Sequence, residues 1–336
     1  MICFRFARRC AAVLGGGLVF SMTVMAAAPA APATESAPVF ADFTTPDGAM
    51  TVFAKGDYVE PYAAIEALLV AHRLGVDVRA NAAALADWLL PYQQANGPFP
   101  RICRSGGDSW VACGLADADD SLAVFWCLLV NEVLQGPVRL QASCGKSLEN
   151  LATLWDPRRE TFQALTGRTE AYFADNVEVI GALRYLRADP RTAARYAREL
   201  GALPSHTQML NGLTRSFNYR FDGALEPEYA SLPPTPPGFY PNAVTPVYLW
   251  VFDLDTGPVA LRKWAVWKHR YERAWLAGKA DPFPWGLIAW AAYQLGDRKV
   301  AAAWLQAAAQ WRSEGRWNLM EEGAWIGLSH AMAISQ

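Results

Sequence analysis

The residues best suited to chemistry are the three carboxylates of Asp117-Ala118-Asp119-Asp120-Ser121, set directly before the apolar run Ala123 to Leu129. Like charges this close repel, so in a partly desolvated cleft at least one needs a raised pKa or a hydrogen-bonded partner. Such a group can act as a general acid or base. Helix capping offers a competing explanation, with Asp117 or Asp119 as the cap and Asp120 favouring the dipole. Glu60 is the second candidate, in Asp57-Tyr58-Val59-Glu60-Pro61-Tyr62. Pro61 fits a first helical turn and puts Glu60 at the helix start. Asp57 and Glu60 also have the spacing of a capping box. Asp175 and Glu178 repeat that offset, and Glu321-Glu322 precede the apolar run Ala324 to Leu328. Adjacent side chains diverge on a helix, so at most one of that last pair faces inward.

Two further polar starts, Asn242-Ala243-Val244-Thr245 and Asp281-Pro282-Phe283-Pro284-Trp285, bring the segments to six. Each precedes a helical apolar pattern. Tyr62, Ile65, Leu68, Leu69 and His72 form one stripe that ends at Leu74-Gly75, followed by an Ala-rich helix over Asn81 to Gln94. Apolar helices are predicted at Asp119–Leu134 and Tyr172–Leu186, alternating with more polar ones at Ser143–Trp155 and Arg191–Leu200. Gly257–Ala277, Phe283–Leu295, Arg298–Arg312 and Met320–Ala333 follow. The turns rhyme as well: Leu74-Gly75 and Leu295-Gly296 each lead into an Ala-rich helix. Hairpin-sized spacing of this kind predicts an all-α fold of repeated helical hairpins, with helices apolar all round inside and amphipathic ones outside. In a closed toroid the polar starts gather at one mouth. Ala95–Leu115 and the Pro-rich 218–241 read as long connections at its rim.

The chain of 336 residues, 52% hydrophobic, is ample for one large core, expected over 39–336. Arg5, Arg8 and Arg9, an apolar stretch and the small-residue run Ala26 to Ala33 read as a signal peptide over 1–28, with a Pro/Ala linker over 29–38. Periplasmic or secreted location follows, with no membrane anchorage of the mature form. A net charge of −2, more acidic once that leader is lost, gives no bulk attraction to nucleic acid. Cys103, Cys113, Cys127 and Cys144 remain. Three pairings are open to them; Cys103 with Cys113 is preferred because it staples the intervening Gly-rich loop, and Cys127 reads equally well as a buried thiol. The four histidines are scattered and no metal spacing exists, so no metal or cofactor is expected. His72 reads as a core residue and His206 as a cap or surface residue.

Many of the 14 tryptophans, such as Trp88, Trp304 and Trp311, read as core. Tyr58, Tyr62, Phe99, Trp110, Phe239, Tyr240, Trp285 and Trp317 lie near loops or helix starts, where a ring face can carry the C–H face of a sugar. Tyr58, Tyr62, Phe99, Trp110, Tyr240 and Trp285, with Arg101, Asp175 and Glu321, make up the expected substrate-binding set.

An exported chain with this alternation resembles the (α/α)6 toroid of six-hairpin glycosidases. Asp117-Ala118-Asp119 is similar to the Asp-Ala-Asp element of the bacterial endoglucanases of glycoside hydrolase family 8. That resemblance implies Glu60 as general acid, with Asp117 and Asp119 handling sugar or protons; Asp120 completes the candidate catalytic set. The family usually has Ser-Glu-Gly around its acid, whereas Val59 and Pro61 flank Glu60 here. The expected function is therefore a polysaccharide-active glycoside hydrolase. The alternatives are a non-catalytic glycan-binding or assembly protein partnered with an exopolysaccharide export machinery, and a uronate-directed lyase or unsaturated-uronyl hydrolase using Tyr240 and Arg101.

Overall fold

A computed structural model describes residues 39–106, 109–219 and 239–334. The leader and linker expected over 1–38 and the Pro run at 233–237 lie outside the described residues. The chain is mostly helical. A short strand β1 (Tyr58–Val59) leads into α1 (Pro61–Arg73) and α2 (Arg79–Leu89); β2 (Pro100–Ser105) and β3 (Ser109–Leu115) precede α3 (Asp119–Leu128) and α4 (Val138–Leu154). A two-stranded ribbon, β4 (Trp155–Asp156) and β5 (Thr161–Phe162), comes before α5 (Phe173–Ala188), α6 (Pro190–Arg195), α7 (Ala197–Ala202) and α8 (His206–Phe217). Then come α9 (Val247–Val251), α10 (Gly257–Trp267), α11 (Arg273–Leu276), α12 (Gly286–Gln294), α13 (Arg298–Trp311) and α14 (Leu319–Ala333).

Packing separates the helices into two sets. α1 packs on α3 and on α14, α3 on α5, α5 on α9, α9 on α12, and α12 on α14, so the first and last helices of the described chain are neighbours. These helices are buried nearly all round: α1 from Pro61 to Ala71, α3 at every residue, α12 from Gly286 to Ala292. The others bury one stripe, such as Leu140, Cys144, Leu148 and Leu151 of α4, or Val300, Trp304, Ala308 and Trp311 of α13. α2 lies against α1, α4 against α3, α8 against α5 and α13 against α12. That division follows from sequence: a helix without a polar face can only be covered on all sides.

Local signals set the ends. Pro61 opens α1 behind an extended Glu60, and Gly75, at φ 94°, turns the chain after the basic residues His72 and Arg73. α6, α8 and α13 are capped by Asp189, by a Ser205–Gln208 capping box and by Asp297.

Several expectations need correction. Ala95–Leu115 contains an antiparallel hairpin, β2 with β3, and β1 pairs on its other edge with Tyr58 opposite Cys103. Alternating side chains and a disulfide across the hairpin favour strands where length and glycines had read as loop. The helix expected over Arg191–Leu200 breaks at Tyr196 into α6 and α7. The helix after Asp119 loosens into a π turn over Leu129–Val133. Cys127 is not a thiol but is bridged to Cys144, joining α3 to α4, and Cys103 is bridged to Cys113.

Candidate functional site

The starts of the fully buried helices face one cleft of about 890 Å³. Tyr58, Glu60, Tyr62 and Glu66 line it from β1 and α1, Asp117 and Ala118 from the start of α3, and Tyr172 and Asp175 from the start of α5. Asp281, Phe283 and Trp285 line it ahead of α12, and Asn318, Met320 and Glu321 at the start of α14. The sixth segment differs: Asn242 is not on the wall, and Tyr240 and Tyr248 on either side of it are. Arg101, carried over the mouth by the hairpin, is the sole basic residue on the described wall.

Capping does not account for these carboxylates. The first residues of α1, α3 and α5 receive no side-chain cap. Glu60 accepts from Arg101 Nε through Oε2 at 2.7 Å and from the Asp117 backbone N–H through Oε1 at 3.1 Å. The Arg101 pairing holds it against the hairpin; the N–H bond ties α1 to the start of α3. Burial pushes the Glu60 pKa above the usual range and the Asp117 charge adds to this, while Arg101 opposes both. Burial and the Asp117 charge push Asp175 up to about 7.

Beneath these lies a second tier. Glu66 is 5% exposed, its Oε2 has no hydrogen-bond partner, and burial with the charges of Glu321 and Asp117 lifts it to about 8. Tyr62 donates its hydroxyl to Glu178 Oε1 at 2.6 Å, and Glu178 Oε2 is also unpartnered. Burial raises Glu178 well above its ordinary value, with Glu66 and Asp175 contributing. Sequence reading missed the role of Glu66. Its signal was present: it is the lone charge in the apolar stretch Tyr62 to Ala71.

Glu321 lines the cleft, but its carboxylate is engaged. It accepts from Trp285 N–H at 2.8 Å and Gly286 N–H at 2.6 Å, closing the start of a neighbouring helix, α12. Its own helix is capped by Asn318. Burial nevertheless lifts Glu321 to about 7.

Four expected site residues are not on the wall. Asp119 accepts from the Thr166 N–H at 2.8 Å, and Asp120 is fully buried with Oδ2 unpartnered. Both lie within α3, where successive residues turn away from the direction Asp117 takes. Phe99 is a core residue packed on Trp126, and Trp110 packs on Trp88 under the Arg104 guanidinium. Phe239 and Trp317, read as possible platforms, are buried. Tyr240 and Trp285 both line the cleft and stack on each other, with ring centres 5.3 Å apart and planes 6° from parallel. Among the described residues no group of three or more His, Cys, Asp or Glu side chains is arranged to hold a metal ion.

This mostly helical chain, with its carboxylate- and aromatic-lined cleft, shares its fold with a solved structure. A solved structure described as a novel alpha-amylase from Clostridium perfringens superimposes on it with a TM-score of 0.53, covering 87% of this chain and 95% of that one. Sequence identity is 10%, so the likeness is one of fold, and it does not single out glycoside hydrolase family 8. No protein-family model and no curated protein matches the sequence.

Proposed function

We propose that the chain is a glycoside hydrolase acting on an uncharged polysaccharide, built on an (α/α)6 toroid whose inner ring is α1, α3, α5, α9, α12 and α14. The cycle of neighbours that returns from α14 to α1 supports the ring. The observation that carries the function is that Glu60 and Asp117, at the starts of two different helices, line the same cleft. Glu60 is the general acid, protonating the glycosidic oxygen, and its raised pKa suits that role. Asp117 is the base that deprotonates water on the opposite face of the sugar, as an inverting mechanism requires. Asp175 offers a hydroxyl hydrogen bond beside it, and the Tyr240–Trp285 stack carries a ring face. Export to an oxidising compartment fits the two disulfides. Among the described residues no helix is long and apolar enough to cross a membrane.

The solved structure's description makes α-glucan the first substrate to test, with β-glucans beside it. Reducing-end release by wild type, lost by roughly 10²- to 10⁴-fold in Glu60→Gln and Asp117→Asn while the glycan still binds, is the expected result. Binding without release by wild type would instead support the non-catalytic alternative, which the Arg101–Glu60 ion pair favours because a guanidinium lowers the carboxyl's pKa and works against its holding a proton to donate. A uronate-directed lyase fits less well: Arg101, the sole basic residue on the described wall, is already paired with Glu60 and is not free to receive the carboxylate of an anionic sugar. New absorbance from a product double bond would revive it.

A further inference from the structure

The buried carboxyl of Glu66 has no role in proton transfer as described above, and it costs the fold stability. An unpartnered oxygen sealed from water gains nothing to replace its hydration. Groups of this kind persist where a ligand completes them. Glu66 lies in the second turn of α1, six residues beyond Glu60, and forms part of the cleft wall while being 5% exposed, so a ligand in the cleft reaches it below the mouth.

We propose that Glu66 determines specificity: its carboxyl hydrogen-bonds a hydroxyl of the sugar seated deepest in the cleft. This inference rests on the glycan reading of the same cleft. A carboxyl is suited to a hydroxyl because, when protonated, it both donates and accepts, and a sugar hydroxyl does the same. The groups around it keep the proton in place. Glu321 of α14 and Asp117 before α3 bear on it directly; Glu178 of α5, Tyr248 of α9 and Tyr62 of α1 feel its charge in turn. None of these is basic, so nothing in this set favours ionisation. Arg101, the one basic residue on the wall, is held at the mouth by Glu60.

Two substitutions separate recognition from structure. Glu66→Gln keeps the shape, one donor and one acceptor; Glu66→Leu keeps approximate volume and removes both. With the glycan that wild type cleaves in the release screen, Glu66→Leu should raise KM by about 10-fold with kcat little changed. Its melting temperature should equal or exceed that of wild type, because an unpartnered buried polar group has been removed. Glu66→Gln should restore the KM and abolish the loss of affinity expected of wild type as pH rises through about 8. An unchanged KM in Glu66→Leu, with wild type active, overturns this inference and leaves the hydrolase reading standing. So does a rise in KM that Gln fails to restore. If wild type neither cleaves nor binds any glycan offered, the glycan reading itself fails and takes this inference with it.

Discussion

Glu60 Oε1 accepts the backbone N–H of Asp117 at 3.1 Å, joining residues 57 positions apart at the starts of α1 and α3. The bond gives the cleft its chemical centre. It also means that Asp117 serves twice, its backbone holding the Glu60 carboxyl and its side chain lining the same cleft.

Arg101 is paired with the carboxyl proposed as the acid. Its guanidinium lowers the Glu60 pKa against burial, so removing it should raise that pKa further. A group acting as acid then stays protonated to higher pH. In Arg101→Gln the alkaline limb of the kcat/KM profile should move up by roughly one unit, read from initial rates across pH. A shift downward would contradict the assignment of Glu60 as acid.

Stability should fall as pH rises. Glu66 is lifted to about 8, and Asp175 and Glu321 to about 7, all above their ordinary values. Groups raised on folding contribute fully below their unfolded pKa, near 4, and lose that contribution as pH passes through the folded value. Thermal melting between pH 5 and 8.5 should therefore show a declining melting temperature, and Asp175→Asn should flatten the slope. A melting temperature that climbs over that range would rule out this cluster as the dominant influence.

The seam between α1 and α14 leaves no room at Gly323. A Cβ there would meet the Ala67 carbonyl oxygen at 2.7 Å, and backbone cannot swing aside as a side chain can. Gly323→Ala should destabilise by about 1–3 kcal/mol in chemical denaturation. Wild-type stability would show that the two helices are further apart.

The Cys127–Cys144 bridge closes a loop of 17 residues between α3 and α4, both ends buried. Replacing both cysteines with alanine should cost about 3 kcal/mol, measured by denaturation of oxidised wild type against the variant. An unchanged midpoint would mean that the bridge is dispensable.

Tyr240 stacks on Trp285 and is half-exposed at the mouth. Tyr240→Ala should raise KM by roughly 5-fold, about 1 kcal/mol, with kcat nearly unchanged. A fall in kcat alone would move Tyr240 from binding to chemistry.

What the sequence determined by itself was local. Pro61, the Gly75 turn and the 3.6-residue stripes depend on neighbours in the chain, so helix positions and the sorting of apolar from amphipathic helices were legible, whereas the capping expected of Asp57, Asp117 and Asp175 was not found. The preference for Cys103 with Cys113 rested on the same short range. Tertiary structure decided which side chains meet. Asp117 reaches the cleft while Asp119 and Asp120 do not, because the wall takes the residue before α3 and not those inside it. Arg101 arrives through pairing of β1 with β2, and Tyr62 finds Glu178 across 116 residues. Glu66 stood out in sequence as the lone charge of an apolar stretch, but only the packing of the helices around it left its Oε2 buried without a partner. Local rules cannot supply such contacts: they depend on how separate helices pack, and packing is settled by burial summed over the whole core.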